Sequence, residues 1–452
     1  MTRSAPPPAA GRILHVPGRI EVLGKHVDYA GGRSLLCATQ MGFSFEVVSR
    51  GDGRVHLHDR VSGQRTAIGL GGVEGSARAG PVWAKYPTAV VRRVVADFFA
   101  ETDPARLSCE IRFSSDLPSA AGLSSSSAFT TGVLLCLDAV ASFLDTDLAR
   151  RAIPTLADLA DYVGAIESGR PYSGLGEAPD EGAGAGEGRA GDGRARGGRT
   201  PGVGVRGGSQ DHTAILCSRA GELLQASFGP VELERYVALP SHLVFAIGVS
   251  GVRASKAAGA RARYNSLSDL ATRIASVWRA GTDGDEPHLG AILDASPDAA
   301  ARLRKVIEQG VGPSAPDDSG LMIRRIEQFR TETRELIPGV VKALGAGDLT
   351  AVGDHVAASQ RLAETHLGNQ VPETMHLAAS ARDVGAVAAS AFGAGFGGAV
   401  WALVDRAQAD DFVAAWRRSY AEAFPARAAR ARFVVTEAAD PAGPVPARFR
   451  AG

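Results

Sequence analysis

Cysteine, net charge and long apolar runs are scarce in this chain of 452 residues. The four cysteines, Cys37, Cys109, Cys136 and Cys217, are far apart and form no CxxC pair, which argues against a zinc site or a disulfide framework. Lysine plus arginine and aspartate plus glutamate number 49 each, so we expect no chain-wide basic surface for nucleic acid or anionic membrane. No run of about 18 apolar residues occurs that would predict a membrane-spanning helix.

The composition that remains is that of a soluble globular protein, with 45% hydrophobic and 22% charged residues. Residues 1–10 lack the apolar stretch of a secretory signal, so we expect a cytoplasmic protein. We expect neither nucleic acid nor a membrane as a partner, and any anion must be bound locally. We expect a monomer or a weak homodimer.

The hydrophobic pattern predicts an α+β protein. Half-buried strands with period-two alternation and strands buried on both faces are predicted at 43–47, 55–57, 109–113, 243–249 and 399–404. Helical spacing follows over 129–144 and 156–166. Strands cluster early and helices dominate later, which differs from a regular βαβ repeat.

Stretches rich in glycine and proline suggest where the boundaries between lobes, insertion and terminal segments lie. Fourteen of the 35 residues in 174–208 are glycine, and this segment is predicted to be a flexible surface insertion that cannot bury enough apolar surface to order itself. The expected divisions are a disordered N-terminus, an N-terminal lobe that contains the insertion, a C-terminal lobe and a frayed tail, at 1–11, 12–235, 236–437 and 438–452.

A serine-rich loop at 114–128 connects the strand 109–113 to the helix that is predicted to begin near Ala128. Small residues let the backbone approach a ligand, and the helix N-terminus directs free N–H groups and a positive dipole end at the same place. This arrangement is suited to a polyphosphate. The alternative is a serine-rich linker with an ordinary helix cap.

Three segments, 17–32, 117–128 and 392–398, resemble in order the three motifs of the GHMP kinases, and the first closely resembles the galactokinase signature. The resemblance implies two α+β lobes with the active site in the cleft between them. It also implies ATP and Mg²⁺ as cofactors, with transfer of the γ-phosphoryl group to a substrate hydroxyl.

The matching positions imply roles for individual residues. Arg19 corresponds to an arginine that stabilises the transition state, and Asp211 to the carboxylate that accepts the hydroxyl proton. Ser126 and Glu167 correspond to the Mg²⁺ ligands, with Ser124, Ser125 and Ser127 as neighbouring candidates. The residues implied to bind ATP are Ala120, Ala121, Gly122, Leu123, Ser124, Ser125, Ser126, Gly393, Gly395 and Gly397. Trp83, Lys85 and Tyr86 fall where the family places adenine or helix-packing contacts, with core packing as an equal alternative.

The residues implied to bind the sugar include one departure from the family pattern. His26, Asp28, Gly208 and Tyr264 match sugar-facing positions, but Lys25 stands where galactokinases carry a glutamate that accepts a hydrogen bond from the sugar. An ammonium group can only donate. The hypothesis is that the substrate differs from plain galactose near Lys25 and carries an acceptor or an anionic group there. The alternative is that Lys25 points away from the site.

The expected function is an ATP-dependent sugar kinase that phosphorylates a hydroxyl, the anomeric C1 hydroxyl being expected, of galactose or a related monosaccharide. Two alternatives stay open, a catalytically weak galactokinase-like sensor or regulator and a kinase for a heptose, an amino sugar, arabinose or a uronic acid. The His26-x-Asp28-Tyr29 signature disfavours a non-sugar alcohol as the substrate.

Overall fold

Two β-sheets with helices packed on them form the framework of the protein. The computed structural model describes residues 12–71, 80–118, 121–176, 200–252, 258–310 and 318–449. In chain order the strands are β1 Arg12–Leu23, β2 Arg33–Ser49, β3 Arg54–Asp59, β4 Arg65–Gly69, β5 Cys109–Ser115, β6 Glu222–Ser227, β7 Glu232–Ala238, β8 Leu243–Val249, β9 Ala388–Ala391, β10 Ala399–Asp405, β11 Arg432–Thr436 and β12 Ala438–Ala439.

Fourteen α-helices surround these sheets in the described part of the chain. They are α1 Lys85–Phe98, α2 Ser125–Ala141, α3 Asp147–Ala152, α4 Leu156–Ser168, α5 Gln210–Cys217, α6 Ala258–Gly281, α7 Leu289–Ala295, α8 Ala299–Glu308, α9 Asp318–Thr331, α10 Ile337–Ala346, α11 Leu349–Leu362, α12 Pro372–Asp383, α13 Ala409–Ala423 and α14 Pro425–Ala428. Within the described ranges, no helix combines the length and the apolar character needed to cross a membrane.

The larger sheet has eight strands and organises the N-terminal lobe. Its main order is β4-β3-β5-β2-β6-β7, with β1 and β12 also paired to β2. Strands β3 and β5 are parallel, and the other pairs are antiparallel. The second sheet is antiparallel in the order β11-β8-β10-β9. All of β8 is buried and so is all of β10 except Asp405, as their continuous apolar sequences predict.

An aromatic cluster joins the large sheet to α2. Phe45 from β2 and Phe113 from β5 lie against Phe129 of α2, with ring centroids 6.0 and 4.7 Å from it. Gly132 gives Phe45 access to the helix, because a Cβ there would lie only 2.1 Å from the phenyl ring. This packing fixes α2 on the sheet, and the helix begins at Ser125 rather than near Ala128. Its first turn is therefore held at the edge of the cleft.

A helical layer formed by α6 to α9 covers the loop that follows β1. Val27 and Ala30 from this loop share a buried cluster with Trp278 of α6 and Phe329 of α9. The backbone around His26 is held by Arg325 of α9, whose guanidinium donates to the His26 carbonyl. The loop after β1, which carries the candidate sugar-binding residues His26 and Asp28, is therefore held in place by its packing against α6 and α9.

Three of the predicted divisions change. The lobe boundary predicted at 235/236 would cut β7, which extends to Ala238 and pairs with β6. The tail predicted to fray at 438–452 is ordered through residue 449: β12 pairs with β2 and Phe449 is buried. Part of the predicted flexible insertion is also packed, since Val203 is buried and donates to the Glu167 carbonyl over 2.9 Å. Residues 1–11, 177–199 and 450–452 lie outside the described residues.

Candidate active site

A cavity of about 470 Å³ opens where the two lobes and the helical layer meet. Its wall is formed by β1 and its following loop, the start of α2, the end of α4, the segment 205–212, α6 and the glycine loop 393–396. The predicted site residues that line it are Arg19, His26, Asp28, Gly122, Ser124, Ser125, Ser126, Glu167, Gly208, Asp211, Tyr264, Gly393 and Gly395. Residues far apart in the chain therefore converge as the motif resemblance implied.

Several residues predicted to bind ATP do not reach the cavity. Ala121 and Leu123 alternate with the lining residues of the serine loop, and their side chains are buried in an apolar cluster to which both sheets contribute. Gly397 is also absent from the described lining. Ala120 lies outside the described residues. The wall of the loop is thus made by Gly122 and the serines that follow it.

The serine loop is fixed to β1 by its backbone. The Arg19 N–H donates to the Leu123 carbonyl over 3.2 Å, and the Arg19 guanidinium donates to the Gly122 carbonyl over 2.6 Å. Gly122 has φ = 81° and Ser124 φ = 58°, so the chain turns sharply before α2 starts at Ser125. The N-terminus of α2 therefore faces the cavity with the positive end of the helix dipole.

Arg19 and Asp211 form an ion pair at the centre of the cavity wall. The Arg19 Nε lies 2.7 Å from Asp211 Oδ1, although the residues are 192 positions apart. The arginine side chain is 6% exposed and the aspartate side chain 30%. Burial acts to raise the pKa of Asp211, but the Arg19 charge and a hydrogen bond from Ser124 hold the pKa below its ordinary value. Asp211 is therefore an ionised carboxylate with one side open to a ligand.

Glu167 lies at the end of α4, beside the serine loop. Its Oε2 accepts from the Ser127 hydroxyl over 2.9 Å and lies 3.0 Å from His212 Nε2. The Ser127 hydroxyl also lies 3.3 Å from Asp211 Oδ2, so it connects the two carboxylates, while Ser126 lines the cavity next to it. Ser127 was only a neighbouring candidate in the sequence, and His212 had no assigned contact.

The donor set near Glu167 fits Mg²⁺ bound together with phosphates. Carboxylate and hydroxyl oxygens are hard ligands, and Mg²⁺ is usually held by one or two carboxylates plus substrate phosphates. Within the described ranges, no group of three or more His, Cys, Asp or Glu side chains forms a cage for a metal ion by itself. Glu167 and the serine hydroxyls are thus suited to share a metal with a nucleotide.

The opposite end of the cavity carries the residues predicted to face the sugar. His26 Nδ1 lies 2.9 Å from the Tyr29 hydroxyl, and the His26 ring packs on Tyr264 with centroids 4.9 Å apart. Burial, with a further contribution from the Arg325 charge, lowers the pKa of His26 to about 3, so this ring is neutral. Gly208 lies directly against Asp28, where a Cβ would come within 2.6 Å of the carboxylate. A side chain at position 208 would therefore clash with Asp28 and fill the space beside it at the sugar end of the cavity.

Lys25 is not part of the cavity, and the prediction that it binds the substrate is corrected. Its side chain is fully buried, and its ammonium donates to the Ser359 hydroxyl over 3.0 Å. Glu332 accepts from the backbone N–H of Gly24 over 2.8 Å and from the Ser359 hydroxyl over 2.9 Å. Because Gly24 and His26 both have positive φ, the chain turns and directs Lys25 away from its neighbours in the site.

Glu21 is a cavity residue that the sequence-based assignments missed. It lies on β1 two residues after Arg19, and successive side chains on a strand alternate between faces. That spacing was the available signal. Gln210, which begins α5, also lines the cavity and donates from Nε2 to Glu21 Oε2 over 2.6 Å.

A smaller aromatic pocket of about 290 Å³ adjoins the main cavity at the start of α2. It shares Ser125, Ser126 and Tyr86 with the cavity, and Trp83 and Phe129 form part of its wall. Flat aromatic walls suit a planar ring system. The two spaces together can accept an elongated ligand with a planar end and an anionic middle.

Comparison with known proteins identifies matching segments in both lobes. The description "GHMP kinases N terminal domain" matches residues 89–176, and "GHMP kinases C terminal" matches residues 340–422. The "Galactokinase galactose-binding signature" matches residues 4–57. The chain is 27% identical over 155 residues to the galactokinase of Clostridium tetani, covering 34% of this chain and 37% of the relative. It is 32% identical over 118 residues to that of Bacillus subtilis, covering 25% and 28%. The chain thus spans about a third of the length of these curated relatives.

Solved structures match along almost the whole chain. Lactococcus lactis galactokinase complexed with galactose superposes with a TM-score of 0.72 at 21% identity, covering 96% of this chain and 95% of that one. Methanococcus jannaschii mevalonate kinase gives a TM-score of 0.53 at 12% identity, covering 96% and 100%. The fold is therefore that of the GHMP kinases. The signature and the two GHMP kinase domains thus match in order along the sequence, and the chain is similar to the galactokinases of the GHMP kinase superfamily.

Proposed function

We propose that this protein is an ATP-dependent sugar kinase that phosphorylates the anomeric C1 hydroxyl of galactose or a related monosaccharide. The observation that carries the proposal is the Arg19–Asp211 ion pair, which lies between the serine loop and the residues expected to bind the sugar. The curated relatives are galactokinases, and a solved galactokinase that contains galactose shares the fold.

The two adjoining spaces support a position for ATP. The adenine ring would occupy the aromatic pocket beside Trp83 and Tyr86. The phosphates would then pass over Ser125 and Ser126 toward the glycine loop at 393–396, where backbone N–H groups and the α2 dipole favour negative charge. This order directs the γ-phosphoryl group toward Asp211.

Mg²⁺ is the second cofactor of the proposed reaction. Glu167 and Ser126 would hold it, with Ser127 as the adjacent hydroxyl already bonded to Glu167. When bound there, the ion would neutralise charge on the phosphates of ATP. His212 Nε2 lies 3.0 Å from the same oxygen, Glu167 Oε2, and would help to hold it in place.

The residues around the ion pair support direct phosphoryl transfer. The ionised Asp211 orients the sugar hydroxyl and accepts its proton while the hydroxyl oxygen forms a bond to the γ-phosphorus and the bond to ADP breaks. Arg19 keeps Asp211 ionised and offers its charge to the transferred group. His26, Asp28, Gly208 and Tyr264 would hold the sugar. The reaction needs positioning and charge compensation, and this wall provides both.

The alternative of a sensor that binds sugar without turnover is less well supported. A sensor that only binds sugar has no need for an ionised carboxylate open to a ligand beside the serine loop, which is what Asp211 provides. The choice among galactose, a heptose, an amino sugar, arabinose and a uronic acid depends on the sugar end of the cavity. We further propose that the protein works in the cytoplasm, where ATP is available, as a monomer or a weak homodimer.

A coupled ADP-release assay with purified protein, ATP and Mg²⁺ across a panel of monosaccharides tests the proposal. We expect sugar-dependent ADP production that disappears in Asp211→Asn, with product NMR showing a phosphate on C1. ADP release that does not depend on any sugar would contradict the proposal, and no ADP release while sugar binding is retained would favour the sensor.

A further inference from the structure

Glu21 is a deeply buried carboxylate in the cavity wall, and only half of it has a partner. Its side chain belongs to β1, and the residue is 3% exposed. Glu21 Oε2 accepts from Gln210 Nε2 over 2.6 Å, whereas Oε1 has no hydrogen-bond partner among the described residues. A buried polar atom without a partner is costly, and in native proteins such an atom calls for an explanation.

The surroundings of Glu21 hold the carboxylate in one orientation. Gln210 cannot rotate freely, because its Oε1 accepts from the Ser34 hydroxyl over 2.6 Å and so directs its NH₂ group at Glu21. Gly393 lies over the carboxylate, and a Cβ there would be 2.4 Å from both oxygens. The free oxygen is thus preorganised at the point where β1 and the glycine loop meet the cavity.

Carboxyl groups predominate at this end of the cavity, and burial raises the pKa of two of them, Glu21 and Asp28, above the ordinary values. The carboxylates of Glu21, Asp28 and Asp211 all line it, and the guanidinium of Arg19 is already bonded to Asp211. His26 contributes no positive charge because its ring is neutral. The ammonium of Lys25 lies behind the wall, against Ser359. A ligand that enters here meets the carboxylate oxygens of Glu21, Asp28 and Asp211.

We propose that Glu21 is a specificity residue for the acceptor sugar, whose free oxygen binds a hydroxyl or ammonium donor of that sugar. The acceptor is accordingly a neutral sugar or an amino sugar, and sugar acids are rejected. This inference rests on the proposed kinase function and narrows its substrate class. It also replaces the hypothesis that Lys25 selects a sugar with an anionic substituent.

The test compares wild type and Glu21→Gln on galactose, its 2-, 3-, 4- and 6-deoxy derivatives, galactosamine and galacturonic acid. Glutamine keeps the shape of the side chain but removes the charge and one acceptor oxygen. In wild type we expect one deoxy sugar to lose about tenfold or more in kcat/KM, because a hydrogen bond to a charged group is lost. In Glu21→Gln, removal of the same hydroxyl from the sugar should lower kcat/KM less than about threefold, since the interaction between that hydroxyl and the Glu21 carboxylate is already absent.

Galactosamine tests whether an ammonium group on the sugar can donate to Glu21, and galacturonic acid tests whether the site rejects a negatively charged sugar. Because the ammonium group of galactosamine can serve as the donor, we expect this sugar to be turned over at least as well as the 2-deoxy sugar. Galacturonic acid should be at least about tenfold worse than galactose in wild type. Wild-type turnover of galacturonic acid equal to or above that of galactose would overturn the proposal, even if Glu21→Gln did not fold.

Asp138→Asn is the matched control. Asp138 is also a buried carboxylate of the N-terminal lobe, but it does not line the cavity. We expect its deoxy-sugar profile to match that of wild type, with folding of each variant checked by thermal unfolding. Equal penalties in wild type and Glu21→Gln, with turnover retained, would overturn this inference alone. Absence of sugar-dependent ADP release from wild type would overturn the proposed function together with it.

Discussion

Two buried arginine–aspartate pairs in the N-terminal lobe use the same chemical groups in different ways. Arg19 and Asp211 lie 2.7 Å apart, with the aspartate side chain 30% exposed to the cavity. Arg93 and Asp97 on α1 lie 2.5 Å apart, and both side chains are almost completely buried. Asp97 also accepts from the Tyr162 hydroxyl over 2.9 Å, and Arg93 donates to the Arg170 carbonyl over 3.1 Å.

The difference teaches that exposure of the carboxylate, more than the ion pair itself, marks the functional site. The Arg93–Asp97 pair ties α1 to α4 and to the segment after it, and neither residue lines the cavity. The Arg19–Asp211 pair has one member open to a ligand. A fully enclosed pair is expected to act on stability, and a partly open pair on catalysis.

The largest expected effect is that of Asp211→Asn. The amide keeps the shape but cannot accept the hydroxyl proton, so kcat should fall about 10²- to 10⁴-fold. Stability should change little by comparison, because the Asp211 side chain is partly exposed and Arg19 keeps its bond to the Gly122 carbonyl. ADP release measures the first effect, and the ATP-induced shift in unfolding temperature shows whether nucleotide binding is retained. Undiminished kcat would remove the assigned role of Asp211.

Asp97→Asn tests the other member of the comparison. Removing one partner of an enclosed ion pair leaves the Arg93 charge uncompensated, and we expect a loss of about 3 to 5 kcal/mol in the free energy of unfolding. Urea unfolding measures this loss. The kcat of the folded fraction should stay within about twofold of wild type, because the pair does not reach the cavity. A large fall in kcat without loss of stability would break the distinction between the two pairs.

Asp138 shows what a buried carboxylate does without a hydrogen-bonded arginine. Burial raises its pKa to about 6, despite a hydrogen bond from the Leu144 N–H. The native state therefore retains a proton that the unfolded state releases, so stability should fall as pH rises from about 4 to about 6 and stay level above that. The full fall is up to about 3 kcal/mol for a shift of roughly two pKa units.

Asp138→Asn should remove this decrease, since the amide does not titrate. Urea unfolding of wild type and variant at a series of pH values measures the difference, and other titrating groups cancel in the comparison. Equal pH slopes in the two proteins would show that Asp138 does not retain its proton in the native state.

Lys25→Met gives the smallest expected effect. It tests a buried lysine whose neighbours in sequence lie at the active site but whose own side chain faces away from the cavity. Loss of the hydrogen bond to Ser359 should cost about 1 to 3 kcal/mol in the free energy of unfolding. The order of preference among sugars should not change, because Lys25 is not in the lining. A reversal of the order of preference among sugars in the ADP-release assay would show that Lys25 does contribute to substrate binding.

Local patterns were sufficient for the elements around the phosphate loop. Alternation predicted β5 and helical spacing predicted α2, because both depend on residues close in sequence. The same reasoning failed for 438–449, where a composition rich in proline and alanine suggested fraying. That segment is held by distant partners: β12 pairs with β2, and Arg448 donates to the Ile153 carbonyl over 2.9 Å.

The sequence by itself determined the resemblance to a family, the order of the three motifs and most of the residues that line the cavity, because motif chemistry depends on residue type and local spacing. Only the tertiary structure decided which way adjacent side chains face. Glu21 and Lys25 are both charged and four residues apart, yet one lines the cavity and the other contacts Ser359. Their directions depend on the turn at Gly24 and His26 and on Glu332, some 308 residues after Gly24, and no local pattern contains that contact.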